Sequence, residues 1–196
     1  MTKGAFMLLR NISTITTGLV LSRKKCTTPD GKGNIYSVLT LKSFESDGYI
    51  NFDEIELFQS NEELNIQYLT QKGDIVIRLT TPFTSVAINA ESTNLVITSN
   101  FAVIRLSDQI FTPEYVSLIL NSEELKKQIN RSSIKTTIPV IKVTDLKDLD
   151  IKENNLDIQN KLHKINQLFI KEKKLLNDLI LQKDELRKSI LKEFIC

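Results

Sequence analysis

The chain has no tryptophan, one histidine, two cysteines, six glycines and four prolines in 196 residues. With His163 as the single imidazole, inside an apolar-periodic stretch between Leu162 and Ile165, a histidine-based triad has no good candidate. Cys26 and Cys196 can build neither a disulfide framework nor a zinc site, and they point to a reducing, cytoplasmic setting. The Gly31–Lys32 pair lacks the earlier glycine and the following hydroxyl residue of a phosphate loop. No glycine-rich turn leads from a strand into a helix, as a dinucleotide or S-adenosylmethionine site requires. No apolar run approaches a membrane span, and Ala5–Leu9 in "MTKGAFMLLRNIST" is too brief for a signal segment. The acidic pairs Asp53–Glu54, Glu62–Glu63 and Glu123–Glu124 read as solvated carboxylates. The expectation is a protein that binds rather than catalyses, with no metal and no membrane partner.

What is present is an ordinary soluble composition, 41% hydrophobic and 26% charged, enough for one domain plus an extension. The formal charge of +2 conceals an uneven distribution. Residues 1–35 carry six cations against Asp30, whereas residues 36–74 carry two cations against eight acids. A basic flank beside an acidic one is compatible with a polyanion on one face.

Two periods divide the chain. From about residue 6 to 106, glycine and proline punctuate β-branched runs: 33–41, "DIVIRL" (74–79), "SVAINA" (85–90) and 94–106. In 74–79, Ile75, Ile77 and Leu79 share one face and Val76 and Arg78 the other, the pattern of a half-buried strand. Helices do not alternate with these strands, so an antiparallel, barrel-like or irregular sheet is expected. Thr112, Pro113 and Glu114 then form a helix start, and Tyr115, Leu118, Ile119, Ser122, Leu125 and Ile129 predict one amphipathic helix. Thr144 is expected to cap a short further turn.

The tail differs in kind. Residues 157–194 contain neither glycine nor proline. Steps of four and three from Ile158 meet Leu162, Ile165, Phe169, Glu172, Leu176, Leu179, Lys183, Leu186 and Ile190, eight of ten positions being apolar. That is a coiled-coil stripe. One continuous helix of this length spans about 57 Å, against a radius of gyration of about 15 Å for a 150-residue domain. It should protrude and need a partner; the alternative is a hairpin that folds back near Lys171–Lys174. The expected division is a domain over 1–152 and a spacer helix over 153–196. The fold class is α+β, a β-rich domain with a few packed helices followed by one long protruding coiled-coil helix.

Three polar segments carry the residue types that contact phosphates and base edges. They are "SRKK" (Ser22–Lys25) with Lys32, "RLTTPFTS" (Arg78–Ser85) and "NRSSIKTT" (Asn130–Thr137). A solvated loop is the alternative for each, and only convergence in space would make them a surface.

The order of these elements resembles the specificity (S) subunits of type I restriction-modification systems over nearly the whole chain. "LLRNISTITTG" is similar to the opening strand and glycine of a target recognition domain. "LTQKGDIVIRL", "TSNFAVIRL", "TPEYVSLILNSEELKKQI" and "IPVIKVTDLKDLDI" follow in the family's order, and "DIQNKLHKI", with Gln159, resembles the start of its spacer helix. "IKENN" replaces the family's proline-rich approach to that helix, and one unit stands where the family has two in tandem.

The resemblance implies a non-catalytic, half-length specificity subunit. It would bind one half-site of double-stranded DNA and dock DNA methyltransferase (M) subunits and, in a full system, a restriction (R) subunit. S-adenosylmethionine, Mg and ATP would belong to those partners. Two chains would form a homodimer, most simply antiparallel, through Ile158, Leu162, Ile165, Phe169, Leu176, Leu179, Leu186 and Ile190. Arg23, Lys24, Lys25 and Lys32 would contact phosphates, with Arg78, Thr80, Thr81 and Thr84 nearer the bases, and Arg131 and Lys135 in support. The rivals are a free-standing DNA-binding regulator or restriction inhibitor, and a coiled-coil protein adaptor.

Overall fold

A computed structural model describes residues 5–25, 33–132 and 139–195. In chain order its elements are β1 (Phe6–Leu8), α1 (Leu9–Ile12), β2 (Ser13–Thr17), β3 (Asn34–Val38), β4 (Phe44–Glu45), β5 (Tyr49–Ile50), β6 (Glu56–Ser60), β7 (Ile75–Arg78), β8 (Ser85–Ala87) and β9 (Phe101–Leu106). Then come α2 (Pro113–Leu120), α3 (Glu123–Ser132), α4 (Val143–Leu146), β10 (Asp150–Lys152) and α5 (Leu156–Ile195). The fold is α+β, β-rich with one long C-terminal helix.

The central sheet runs β2-β9-β7-β8, antiparallel throughout. The two-stranded ribbon β3–β6, the hairpin β4–β5 and the pair β1–β10 form separate small sheets. Alternation along β7 and β9 separates two cores. Ile75, Ile77, Ala102 and Ile104 face α1, α2 and Tyr115, while Val76, Phe101 and Val103 face Leu39 and Phe44. The expected half-buried strand 74–79 is therefore corrected. Its alternation is real, but Val76 is as buried as Ile75 and Ile77, because hydrophobic layers cover both faces of the sheet.

Thr112 caps α2 by accepting from the Tyr115 N–H at 3.2 Å, and Pro113 occupies the first turn. The single helix expected over 113–129 is two. It breaks at Asn121, whose side-chain amide accepts from the Ser85 N–H at 2.9 Å and donates to the Ser85 carbonyl at 2.8 Å, mimicking a strand partner at the edge of β8. Thr144 lies inside α4 rather than capping it; Lys142 precedes the helix without a side-chain cap. In the turn before β7, Gly73 has φ of 90°, a left-handed conformation that disfavours a side chain. Gly18 answers to space instead: a Cβ there would lie 2.3 Å from the Thr98 carbonyl oxygen.

α5 is unbroken, so no hairpin forms at Lys171–Lys174. Asn155 caps it, accepting from the Ile158 N–H at 2.9 Å. The first half does lie along the domain, contrary to the expectation from length alone. Gln159 is fully buried, Leu162 is half-buried against the α2-side core, and Lys173 pairs with Asp47 at 2.7 Å. From Leu175 to Phe194 every side chain is exposed.

Candidate nucleic-acid interface

The pairing registers locate two of the three polar segments. Thr17 of β2 pairs with Ala102 and Arg78 of β7 pairs with Phe101, so both strands finish at the same end of the central sheet. Arg23–Lys25 follow the first and Thr80–Thr84 the second. The chain that follows the third segment meets this place: the Thr81 N–H donates to the Pro139 carbonyl at 3.3 Å, and Ile141 to that of Leu79 at 2.9 Å. Of the third segment, only Asn130–Ser132 lie within the described residues.

Individual side chains divide into those that face outward and those held inward. Arg23 and Lys25 are exposed. Lys24 is half-buried and ion-paired with the Glu62 carboxylate, so its charge is partly neutralised before any phosphate arrives. Thr81 is exposed and Arg131 is exposed on the last turn of α3. Lys32 and Lys135 lie outside the described residues. Three expected base-reading residues need correction. Thr84 is fully buried and cannot present its hydroxyl to DNA. Arg78 turns back on its own backbone, donating to the carbonyls of Leu41 and Thr81, both at 3.2 Å, and burial lowers its pKa. Its role here is to brace the turn that displays Thr81. The Thr80 hydroxyl is also buried.

Among the described residues, the buried side-chain polar atoms that lack a hydrogen-bond partner are Arg78 Nε and the hydroxyls of Thr80, Thr84 and Thr98. Three of the four belong to the Arg78–Ser85 segment, and Thr98 is bridged to Leu19 beside it. Such groups need water or a ligand group to be satisfied.

The strand expected over 33–41 forms one half of the β3–β6 ribbon beside Lys25, where a bridge joins Lys25 to Ser60, but the exposed face of that ribbon was not among the expected site residues. Its outward face carries Ile35 and Leu57, 69% and 77% exposed. The signal was available: "NIYSV" and "ELFQS" put apolar residues on both faces of a two-stranded ribbon.

The opposite end of the sheet anchors α5. Gln159 Oε1 accepts from the Thr112 N–H at 2.8 Å, and Nε2 donates to the carbonyls of Ile110 at 2.8 Å and Asn154 at 2.7 Å. Ile110 and Thr112 follow the C-terminal end of β9, away from Phe101. A second clamp lies near the β4–β5 hairpin, where Lys174 Nζ sits 3.5 Å from the centre of the Tyr49 ring. Burial, with Glu45 and Asp47 nearby, raises the Tyr49 pKa, while Lys173 opposes the shift. Between helix and domain lies a cavity of about 370 Å³ lined in part by Glu114, Asn121, His163 and Asn166. His163 is half-buried there. Among the described residues no group of three or more His, Cys, Asp or Glu could hold a metal ion, and no helix is long and apolar enough to cross a membrane.

No family model and no curated protein sequence matches the chain. Solved structures do. The HsdS subunit from Thermoanaerobacter tengcongensis superposes with a TM-score of 0.67 at 12% identity, over 91% of this chain and 45% of that one. The fold is that of a type I S subunit. The type I restriction-modification S subunit from M. genitalium gives a TM-score of 0.59 at 18% identity, over 96% and 45%. A chain from a type I restriction-modification system studied for complex assembly and conformational transition gives 0.60 at 16%, over 90% and 40%. The chain thus spans less than half the length of each of these three structures, and the resemblance carried by its motifs holds at the level of fold.

Proposed function

We propose that this chain is a non-catalytic specificity subunit of a type I restriction-modification complex. Its β-rich head reads a half-site of double-stranded DNA, and α5 pairs with a second copy and docks methyltransferase subunits. The observation that carries this is the polarity of the head. The basic Arg23–Lys25 and hydroxyl-rich Thr80–Thr84 segments follow strands that finish at one end of the central sheet, and Gln159 locks the start of the rod at the other, within an S-subunit fold; both facts support the reading. Arg23, Lys25 and Arg131 supply phosphate contacts, and Thr81 the nearest hydroxyl for a base edge. Identical chains joined by a rod longer than one DNA turn of about 34 Å imply an inverted, bipartite target with a spacer.

Fluorescence anisotropy on a target duplex across a salt series tests the interface. Arg23→Ala with Lys25→Ala is expected to lower the slope of log K against log salt by about two, since each phosphate contact contributes about 0.9. Lys24→Ala should change it by less, because Glu62 already holds that charge. An unchanged slope in the double variant removes the assignment. Methylation-sensitive sequencing of cells carrying the system is expected to report inverted half-sites. Affinity capture separates the alternatives: a free-standing regulator would bring down no methyltransferase, and a protein adaptor would bind no DNA.

A further inference from the structure

On the basis of the pairing proposed above, we propose that two α5 helices pack antiparallel in one register, fixed by Glu172 of each chain meeting the partner's Lys183.

The starting point is which side of α5 the head leaves free. At 100° per residue, the head-facing Gln159, Asn166 and Ile170 cluster on one side of the helix. The heptad stripe runs on another, so beyond Leu162, which packs on the head, head contact does not cover it. Ile165, Phe169, Leu176, Leu179, Leu186 and Ile190 are 46–62% exposed. A seam of this length left open calls for a second helix.

Two charges interrupt the seam, and neither has a counter-charge on its own helix. The residues three and four positions from Glu172 are Leu168, Phe169, Leu175 and Leu176. Those around Lys183 are Leu179, Ile180, Leu186 and Arg187. Intrahelical pairing operates at those spacings, and here it offers apolar carbon or, at Arg187, a like charge. Their partners must come from another chain.

The candidate alignments are few. In a parallel, in-register pair each position faces itself, so Glu172 meets the partner's Glu172 and Lys183 the partner's Lys183, which is repulsive in both layers. A parallel pair bringing Glu172 to the partner's Lys183 needs a stagger of eleven residues, not a whole number of heptads, and satisfies only one of the two contacts. Antiparallel helices with Leu176 opposite the partner's Leu179 place Phe169 on the partner's Leu186, Ile165 on its Ile190 and Glu172 on its Lys183. Two-fold symmetry repeats each layer. Sliding this pair by one heptad either way puts Glu172 against the partner's Leu176 or Ile190, and Lys183 against the partner's Ile165 or Leu179. Both charges would then be desolvated without a partner. One alignment keeps every layer matched, and it runs from Ile165 to Ile190, about 38 Å of seam.

The register has a metric consequence. It places the two Gln159 anchors about 55 Å apart along the rod. A slip of one heptad would change that distance by about 10 Å, or roughly three base pairs at 3.4 Å each.

The test uses the full chain in a Cys26→Ser, Cys196→Ser background. By sedimentation equilibrium, Glu172→Lys and Lys183→Glu are each expected to weaken the dimer at least tenfold, and the double exchange to restore it to within about threefold. Circular dichroism checks that the helix persists in every variant. Singles that dimerise as well as the parent, or a double that fails to recover, overturn the register. A spin label at Lys188 reads orientation independently: the register predicts a separation of about 32 Å along the axis, whereas a parallel pair keeps the labels under about 20 Å apart, little more than one interhelix spacing. A short distance in a stable dimer overturns the register and leaves the pairing standing. A monomer at all concentrations sinks the pairing and the register together.

Discussion

Gln159→Leu is expected to lower the unfolding free energy by about 3 kcal/mol in a urea titration, with leucine chosen because it nearly keeps the volume. Gln159 is fully buried, and its amide satisfies the Thr112 N–H and the carbonyls of Ile110 and Asn154. Leucine satisfies none of them, and each polar group left buried and unpaired costs about 1–3 kcal/mol, less where water can reach it. Gln159→Glu sharpens the test. A carboxylate keeps the acceptor for Thr112 but faces two carbonyl oxygens, so that variant should be less stable at pH 7 than at pH 4 relative to the parent. A cost below 0.5 kcal/mol for Gln159→Leu would mean that the lock between head and rod lies elsewhere. The second clamp, Lys173 to Asp47, begins fourteen residues further along the helix and is surface-exposed on the lysine side. Such a contact is worth at most about 1 kcal/mol and cannot substitute for Gln159.

Asp74→Ala should cost about 2–3 kcal/mol by the same measurement. The Asp74 carboxylate is buried and accepts from Arg105 Nε at 2.9 Å, from the second guanidinium nitrogen at 3.0 Å and from the Gln71 N–H at 3.0 Å. Its hydrogen bonds outweigh desolvation and hold the Arg105 pKa above its ordinary value. Removing one member of a buried pair costs about 3–5 kcal/mol; Arg105 is partly exposed and recovers some hydration, which reduces the figure. Adding Arg105→Met to Asp74→Ala should recover part of the loss, because the unpaired cation goes with it. If the double variant is no more stable than the single, the cost lies in the Gln71 turn rather than in the ion pair.

What the sequence revealed follows the range of the causes. The start of α2 was legible because Thr112, Pro113 and Tyr115 settle it among themselves. Its break at Asn121 was not, because the cause is Ser85, 36 residues upstream. The run 94–106 looked like one strand. Its first part instead makes isolated bridges from Val96 and Thr98 to Leu19, Val38 and Leu69, partners drawn from three segments. At the candidate interface, residue type identified the three polar segments but not the direction of each side chain. Arg78 and Thr84 turn inward because Leu41, Thr81 and the surrounding core receive them, and nothing within "RLTTPFTS" announces that. The rod was legible from its heptads. Its contact with the head was hidden, since Lys173 meets a residue 126 positions earlier.

Thr81 and Gln159 lie at opposite ends of one sheet. On the function proposed above, substitutions around Thr81 are remote from the Gln159 lock, so a change of target would leave the fit to companion subunits in place. A head built this way would behave as an interchangeable tool bit held in an unchanging chuck.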